Sequence, residues 1–557
     1  MNLQQNVQNE IFELLKNEVE LTDIIVERPK ERSMADYAVP CFSLAKKLHK
    51  SPNDIANFIK EKLTNYSKIE VVNGYLNIFI DKNVYAKKIL ENIIDSKENY
   101  GSNSSGKDKT IIVEYSSPNI AKPFGVGHLR STVIGEALKN ICLKNGYNVK
   151  SLNYLGDYGT QFGKLIYAYT AWGNKEAYDK DPLTELKRVY VKFHEEASKD
   201  PKLDDEGRLW FKKLEDKDPY ALELWNKFKN DSLKEFAKTY KLLHIDSFDS
   251  YEGEASYIDA MPIIIKELED KNLLTESEGA MVVHVGDDII PALIKRSDGA
   301  SLYMTREIAA VIDRKKKYDF DEALYVVGNE QTLHFNQLKR VIAKMGYPWS
   351  DSIYHIGFGM ILQNGKKMST RHGKSFELKD LLNDAIELSY KYLVEKKALV
   401  EDLAEASKTI GVGAVIFNDL KNYRTNDIEF NLEDVLKFEG ETGPYIQYTY
   451  ARINSMLKDS NIGEVDYDIE ITEPMWNVVF RLYEFNDIIL KAKDTYDPSI
   501  IAKYIIDVAQ DFNKLYATEK FKTEEIKGAF LLETALCTSI VLKEGMRILG
   551  IDVLERM

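Results

Sequence analysis

Cysteine is nearly missing: Cys41, Cys142 and Cys537 are the only three, remote from one another and without a CxxC pair or clustered histidines. That excludes a disulfide framework and a thiolate zinc site, and leaves three small, buried side chains. Long apolar runs are missing too. No stretch approaches the roughly 18 residues that a membrane-crossing helix needs. The opening MNLQQNVQNEIFELLKNEVE alternates charge with helical period, where a secretion signal has an apolar centre. A cytoplasmic location with no membrane contact is expected. The third shortage is positive charge, with 75 Lys and Arg against 89 Asp and Glu, a net −14. Non-specific nucleic-acid binding rests on a basic surface and is disfavoured; a local basic stripe on an acidic chain still suits selective RNA binding.

What is present is ample core material. Apolar residues make up 44% and charged residues 29% of 557, too long for one core, so about three or four domains are expected. Residues 1–106 read as an α+β unit. Ser51 is the N-cap of SPNDIANFIKEKL, and VVNGYLNIFI turns at Asn73-Gly74 as a strand pair. The polar YGSNSSGKDK, Tyr100 to Lys109, reads as a linker. Residues 107–376 alternate strands and helices, which predicts a doubly wound parallel sheet, Rossmann-like, interrupted by a mostly helical insertion at about 165–293. Residues 377–440 read as a helical connector, whose Gly411 and Gly413 suit close helix packing better than a phosphate loop, because no strand precedes them. GETGP opens a C-terminal α-helical bundle, 441–557, with 13 Lys and Arg against 20 Asp and Glu.

The chemistry gathers around Thr110 to Thr132, TIIVEYSSPNIAKPFGVGHLRST. A β-branched run gives way to turn formers and then to helical periodicity, so Gly125 and Gly127 bracket a helix entry where an anion can approach free N–H groups, with His128 beside them. GVGH alone is an ordinary strand-to-helix turn. The longer string, with Glu114 and the later NYLGDYGTQFG, resembles the HIGH signature of class I aminoacyl-tRNA synthetases in its arginyl form, although Gly125 stands where that family usually has histidine. GFGMILQNGKKMSTRHGK, Gly357 to Lys374, resembles the second signature, the KMSKS loop: Lys367, Met368 and Ser369 match KMS, and Thr370 replaces the following lysine. By itself that basic run is an ordinary solvated loop.

The resemblance implies an arginine–tRNA ligase using ATP with Mg2+, L-arginine and tRNA(Arg), with no permanently bound metal and as a monomer, in which activation requires bound tRNA. It implies an arginine pocket of Glu114, Ser116, Asn119, Tyr303, Glu307 and Gln331. Glu307 stands where aspartate is commoner. A guanidinium offers five fixed donors, best met by in-plane carboxylates and carbonyls. It implies ATP contacts from Pro118, Phe124, Gly125, Gly127, His128, Met368 and Ser369. Catalytic roles fall to Lys122, His128 and Lys367, with Lys122 supplying the cation that Thr370 cannot. DYAVP and NGYLNIFI resemble the family's appended N-terminal domain, which contacts the outer corner of the tRNA and places Tyr75 there. YIQYTYARINSML resembles the opening helix of its anticodon-binding bundle, with Tyr445, Tyr448 and Arg452 as tRNA contacts. Of the facing pair Tyr445 and Tyr448, one is expected to be buried. Two other classes compete: a small-molecule nucleotidyltransferase sharing the GxGH sheet, which needs neither terminal domain, and a catalytically silent RNA-binding relative, which needs no substrate pocket.

Overall fold

The computed structural model describes residues 3–557 except 30–33, 296–302, 369, 372–373 and 522–525, with only the backbone at 370–371, 374–375 and 526. The chain forms two compact units: Met1–Asp95 with Ile462–Phe480 and Lys520–Thr534, and Ser96–Asn461 with Arg481–Glu519 and Ala535–Met557. In the first unit, the helix Leu3–Leu15 buries Leu3, Val7, Ile11 and Leu15, a four-residue spacing that puts all four on one stripe. Strands β1 (Tyr37–Pro40), β2 (Lys68–Val72) and β3 (Tyr75–Phe79) make an antiparallel sheet in the order β1-β3-β2, and the Asn73-Gly74 turn joins β2 to β3 at positive φ. Ser51 caps its helix as expected, accepting a hydrogen bond from the Asp54 N–H at 3.1 Å. Trp476, from the late part of the chain, donates to buried Asp36 at 2.9 Å.

The second unit is organised on a four-stranded parallel sheet, β10-β9-β4-β5, of β4 (Thr110–Glu114), β5 (Asn148–Leu152), β9 (Glu322–Tyr325) and β10 (Ile353–His355). β4 reaches β5 through the helix Leu129–Lys144, while β9 reaches β10 through Thr332–Lys344 on the other side. The crossovers therefore diverge between β4 and β9, and the crevice beyond those two carboxyl ends is where such sheets bind ligands. Glu114 and Tyr325 sit opposite each other there, the last residues of their strands.

One expectation gains detail and another needs correction. The insertion is helical only to Asp270; from Leu274 to Lys295 it is an antiparallel meander, β6 (Leu274–Ser277), β7 (Ala280–Val283) and β8 (Ala292–Lys295), because short alternating runs separated by Glu278-Gly279 close a hairpin better than they continue a helix. The linker at 100–109 is anchored: Tyr100 is buried, and the N–H groups of Asn103 and Gly106 donate to the carbonyls of Lys144 and Asn145. Gly411 acts as expected. A Cβ there would meet the Ala385 backbone at 2.8 Å, so the helices Leu378–Glu395 and Leu403–Leu420 touch backbone to backbone. All three cysteines are buried, and no disulfide joins them. Among the described residues no helix is long and apolar enough to cross a membrane, and no group of His, Cys, Asp and Glu is placed to hold a metal.

Candidate active site

The loop from Glu114 to Gly125 is held in an unusual shape. Ser116, Ser117 and Ala121 have φ of 69°, 46° and 58°, in the left-handed region, where each non-glycine residue costs roughly 1 kcal/mol or more. Buried hydrogen bonds offset the strain. The Ser116 hydroxyl lies 2.8 Å from the Tyr240 hydroxyl and accepts from Thr132 at 3.0 Å, and its N–H donates to Ser131 at 2.9 Å. Asn153 donates to the same Tyr240 at 2.9 Å, and the Ala121 N–H donates to Ser232 at 2.8 Å. Ser116 is thus fully engaged with the protein, and its side chain shapes the loop. Pro118 is buried and its carbonyl accepts from the Gly156 N–H; the exposed Asn119 lays its amide against Gly156, where a Cβ would meet Asn119 Oδ1 at 2.2 Å.

At the helix entry the short turn Val126–His128 precedes Leu129–Lys144. Fewer N–H groups are available than the sequence suggests. Those of Val126, His128 and Leu129 donate to the carbonyls of Phe376, Gly125 and Val126, which leaves Gly127 without a backbone partner among the described residues. Gly127 is exposed, with open space where a Cβ would stand. His128 packs on Phe124, itself buried against Phe236 and Tyr240, and its Nδ1 lies 3.3 Å from the Gly125 carbonyl. Burial holds this imidazole below its usual range, against the pull of that carbonyl, and nearby Lys122 lowers it further. Without ligand it is neutral. Lys122 is exposed, with its ammonium 6.0 Å from the Tyr190 ring centre and no carboxylate paired with it among the described residues.

Gly125 has φ −79° and ψ 159°, extended backbone open to any residue, and a Cβ there would find only the Phe376 carbonyl, at 3.7 Å. Gly125→His should therefore fold normally and keep catalytic turnover within about threefold of the parent, since a surface side chain meeting no clash changes stability by about 0.5 kcal/mol or less. A steady-state assay of the variant checks this; a large loss would mean the glycine is sterically required.

The segment that directly follows the second signature lies against the first. Gly125 bridges to Glu377, and the Leu378 N–H donates to the Phe124 carbonyl at 2.8 Å. Before it, β11 (Ile361–Gln363) and β12 (Lys366–Lys367) form a hairpin at Asn364-Gly365. Met368 is buried and its N–H donates to the Ile361 carbonyl, whereas Lys367 is exposed. Ser369 lies outside the described residues.

Arg314 and Glu254, among the charges around this pocket, are what the sequence reading missed. Glu114 pairs with Arg314 at 2.5 Å, both almost fully buried, and the guanidinium lies 5.0, 6.0 and 5.7 Å from the ring centres of Tyr154, Tyr257 and Tyr325. Burial disfavours the charged guanidinium, but Glu114 and the tyrosine hydroxyls outweigh it and hold its proton firmly. Burial pushes the Glu114 carboxyl up while Arg314 pulls it down. Glu307, on the helix Tyr303–Tyr318, has no hydrogen bond or ion pair among the described residues. Burial raises its carboxyl to about 8; the Glu114 charge adds to the rise and Arg314 opposes it. Arg306 pairs with Glu254 at 3.3 Å and lies 4.8 Å from the exposed Tyr303 ring and 5.6 Å from that of Tyr158. Burial raises Glu254 to about 7 against the pull of Arg306. Gln331 is exposed in the turn Asn329–Gln331 that follows β9. Glu307 and Arg314 are seven residues apart, two helical turns on one face, and that spacing is the signal that would have revealed Arg314.

Farther off, Tyr75 is 39% exposed against Phe42. Tyr448 is exposed beneath Arg452, 4.8 Å from the ring centre, while Tyr445 is half-buried and accepts from Asn513. Neither Tyr445 nor Tyr448 is buried; the buried tyrosine on that helix is Tyr450.

Three families match successive parts of the chain: the arginyl tRNA synthetase N terminal domain at residues 1–80, the class I (R) tRNA synthetase catalytic domain at 89–432, and the DALR anticodon binding domain at 446–557. An arginine–tRNA ligase 1 of Bacillus cereus is 47% identical over 537 residues, covering 96% of this chain and 95% of that protein. The arginine–tRNA ligase of Enterococcus faecalis is 46% identical with full coverage of both. Among solved structures, the Thermus thermophilus arginyl-tRNA synthetase shares the fold with a TM-score of 0.84 at 23% identity, covering all of both chains. The Plasmodium falciparum enzyme does so with 0.79 at 24%, covering all of this chain and 98% of that one.

Proposed function

The chain belongs to the class I arginyl-tRNA synthetase family, and from that premise we propose how its site activates L-arginine with Mg·ATP and passes it to the 3′-terminal ribose of tRNA(Arg). An arginine–tRNA ligase works in two steps. The arginine carboxylate attacks the α-phosphate in line and pyrophosphate leaves; the ribose hydroxyl then attacks the adenylate carbonyl and AMP leaves. Neither step needs a covalent nucleophile from the protein, so catalysis is positioning and charge stabilisation.

The observation that carries the reading is Glu307, a carboxylate with no ion pair among the described residues that feels the charge of Glu114 at the end of β4. Arg314 already neutralises Glu114, so Glu114 offers substrate an oriented acceptor while Glu307 supplies the net negative charge that a guanidinium calls for. Asn119, Tyr303 and Gln331 complete the pocket, and Ser116 contributes through the shape of its loop. Gly127, His128, Phe124, Pro118, Gly125, Met368 and Ser369 serve the nucleotide. His128, neutral without ligand, becomes a donor when the triphosphate beside it raises its proton affinity. Lys122 and Lys367 face the departing pyrophosphate from opposite rims. Residues 1–106, with Tyr75, serve the tRNA's outer corner, and 441–557, with Tyr445, Tyr448 and Arg452, its anticodon. The protein acts as a cytoplasmic monomer.

Arginine-dependent exchange of pyrophosphate into ATP, measured with and without tRNA(Arg), tests the reading. Exchange is expected only with tRNA present. No exchange under either condition would overturn the assignment and leave a silent RNA-binding relative.

A further inference from the structure

Residues 424–430 form a hub onto which separate parts of the site are fastened. Arg424 is its centre. Its Nε donates to the Tyr496 carbonyl at 3.1 Å and an Nη donates to the Gly357 carbonyl at 2.7 Å, while its own carbonyl accepts from the Gly359 N–H at 3.0 Å. One side chain thus joins the C-terminal helical region to the first residue of the second signature. The neighbours extend the attachment. Asp427 accepts from the Met360 N–H at 2.7 Å, and Ile361 and Leu362 of β11 pair in parallel with Ile428 and Glu429. The fit is tight, since a Cβ on Gly359 would meet the Asn426 carbonyl at 2.5 Å.

The same hub holds the first signature. Arg130 of GHLRST is 1% exposed; it pairs with buried Asp419 at 3.1 Å and donates to the Asn426 carbonyl at 2.7 Å. Asn329, in the turn after β9, donates to the Thr425 carbonyl at 3.0 Å. The far end of the clasp is fixed as well: Tyr496 holds a left-handed φ of 48°, and its hydroxyl donates at 2.5 Å to Glu322, the first residue of β9, which is paired with Lys493 at 2.8 Å.

We propose that Arg424 is a positioning residue for adenylation: by clasping the carbonyls of Gly357 and Tyr496 it sets where β11 and β12, and with them Lys367, stand relative to the GVGH helix entry. The proposal rests on the reading of Lys367 as a triphosphate contact. A misplacement of about 1 Å in a catalytic cation suffices for a large loss of rate, and a two-point guanidinium clasp resists it where a lysine, with one compact ammonium, cannot reach both carbonyls in fixed geometry.

A double-mutant cycle on exchange turnover tests this, with tRNA(Arg) present and melting temperature recorded for each protein. Arg424→Lys should lower kcat about tenfold and raise the KM for ATP, with the KM for arginine unchanged. In a Lys367→Ala background the same substitution should cost under about twofold, because the group it places has gone. Costs that simply multiply would make Arg424 a general stabiliser and overturn the proposal, as would an Arg424→Lys protein with parental kinetics. Arg424→Gln, which keeps one donor group, gives the same comparison should the lysine variant fold poorly. Absence of arginine-dependent exchange in the parent would instead defeat the enzyme reading itself, and an inert Lys367→Ala would defeat both the Lys367 assignment and this proposal.

Discussion

Glu307→Gln should lower kcat/KM for arginine about 100-fold above pH 8, the loss expected when one partner of a buried, hydrogen-bonded charge pair is neutralised at a cost of roughly 3 kcal/mol. The effect follows from the division of labour in the pocket. Glu114 is committed to Arg314 at 2.5 Å, so on the proposed function substituting Glu307 removes the net charge left to meet a guanidinium. The loss should fall mainly on KM, and discrimination against citrulline, the neutral isostere, should shrink with it.

The same residue predicts a pH dependence with a definite sign. Glu307 titrates near about 8 in the free protein because it is buried and lies close to Glu114. Arg314, Arg306 and Glu254 complete its charged surroundings, with the neutral phenols of Tyr154 and Tyr325 nearby. Arginine binds the ionised form, so kcat/KM for arginine should rise about tenfold per pH unit below that value and level off above it. Glu254 adds a second, weaker inflection near about 7. In Glu307→Gln the tenfold-per-unit slope below about 8 should be lost, leaving only the weaker inflection of Glu254, and the variant's deficit should shrink to about tenfold at pH 7, where most of the parent must first lose a proton. A parental slope retained in the variant would assign the titration to another group.

Lys122→Ala should lower exchange kcat about 100-fold with little change in the KM for arginine, the size of effect seen when one preorganised donor to developing charge is removed. Thr370 leaves the second signature one cation short, and Lys122 is exposed, unpaired among the described residues and adjacent to His128. As a surface side chain with a single distant ring contact it contributes little to folding, so the melting temperature should stay close to the parent's. Lys122→Arg should restore part of the rate, because a guanidinium carries the charge with different reach. A loss below about threefold for Lys122→Ala, no more than an ordinary surface lysine shows, would remove this residue from the triphosphate site.

Much of the architecture was legible because it is written in short-range chemistry. Ser51 caps its helix through a hydroxyl that accepts from the N–H three residues on, Asn73-Gly74 turns the first hairpin because glycine accepts positive φ, and the β-branched run at 111–113 pairs as the inner strand that its composition suggests. The signatures were legible for the same reason: GVGH and KMS are each contiguous. The meander at 274–295 was missed because its runs are four residues long, too brief for a period of two to be told from a period of 3.6.

The sequence by itself determined the family, the parallel sheet, the α+β N-terminal unit, the helical C-terminal region and the residue types on which the proposed site draws. Only the tertiary structure decided which charges are spent and which are free. Glu114 and Glu307 read alike in the sequence, yet Arg314, brought beside Glu114 by the packing of the helix Tyr303–Tyr318, pairs with one and leaves the other without an ion pair among the described residues. Arg424 likewise belongs to no sequence motif, and only folding sets two distant carbonyls within its reach. Local propensity acts over a few residues and survives in the linear order; charge pairing acts over a few ångströms of space, and only the folded chain says which residues share them.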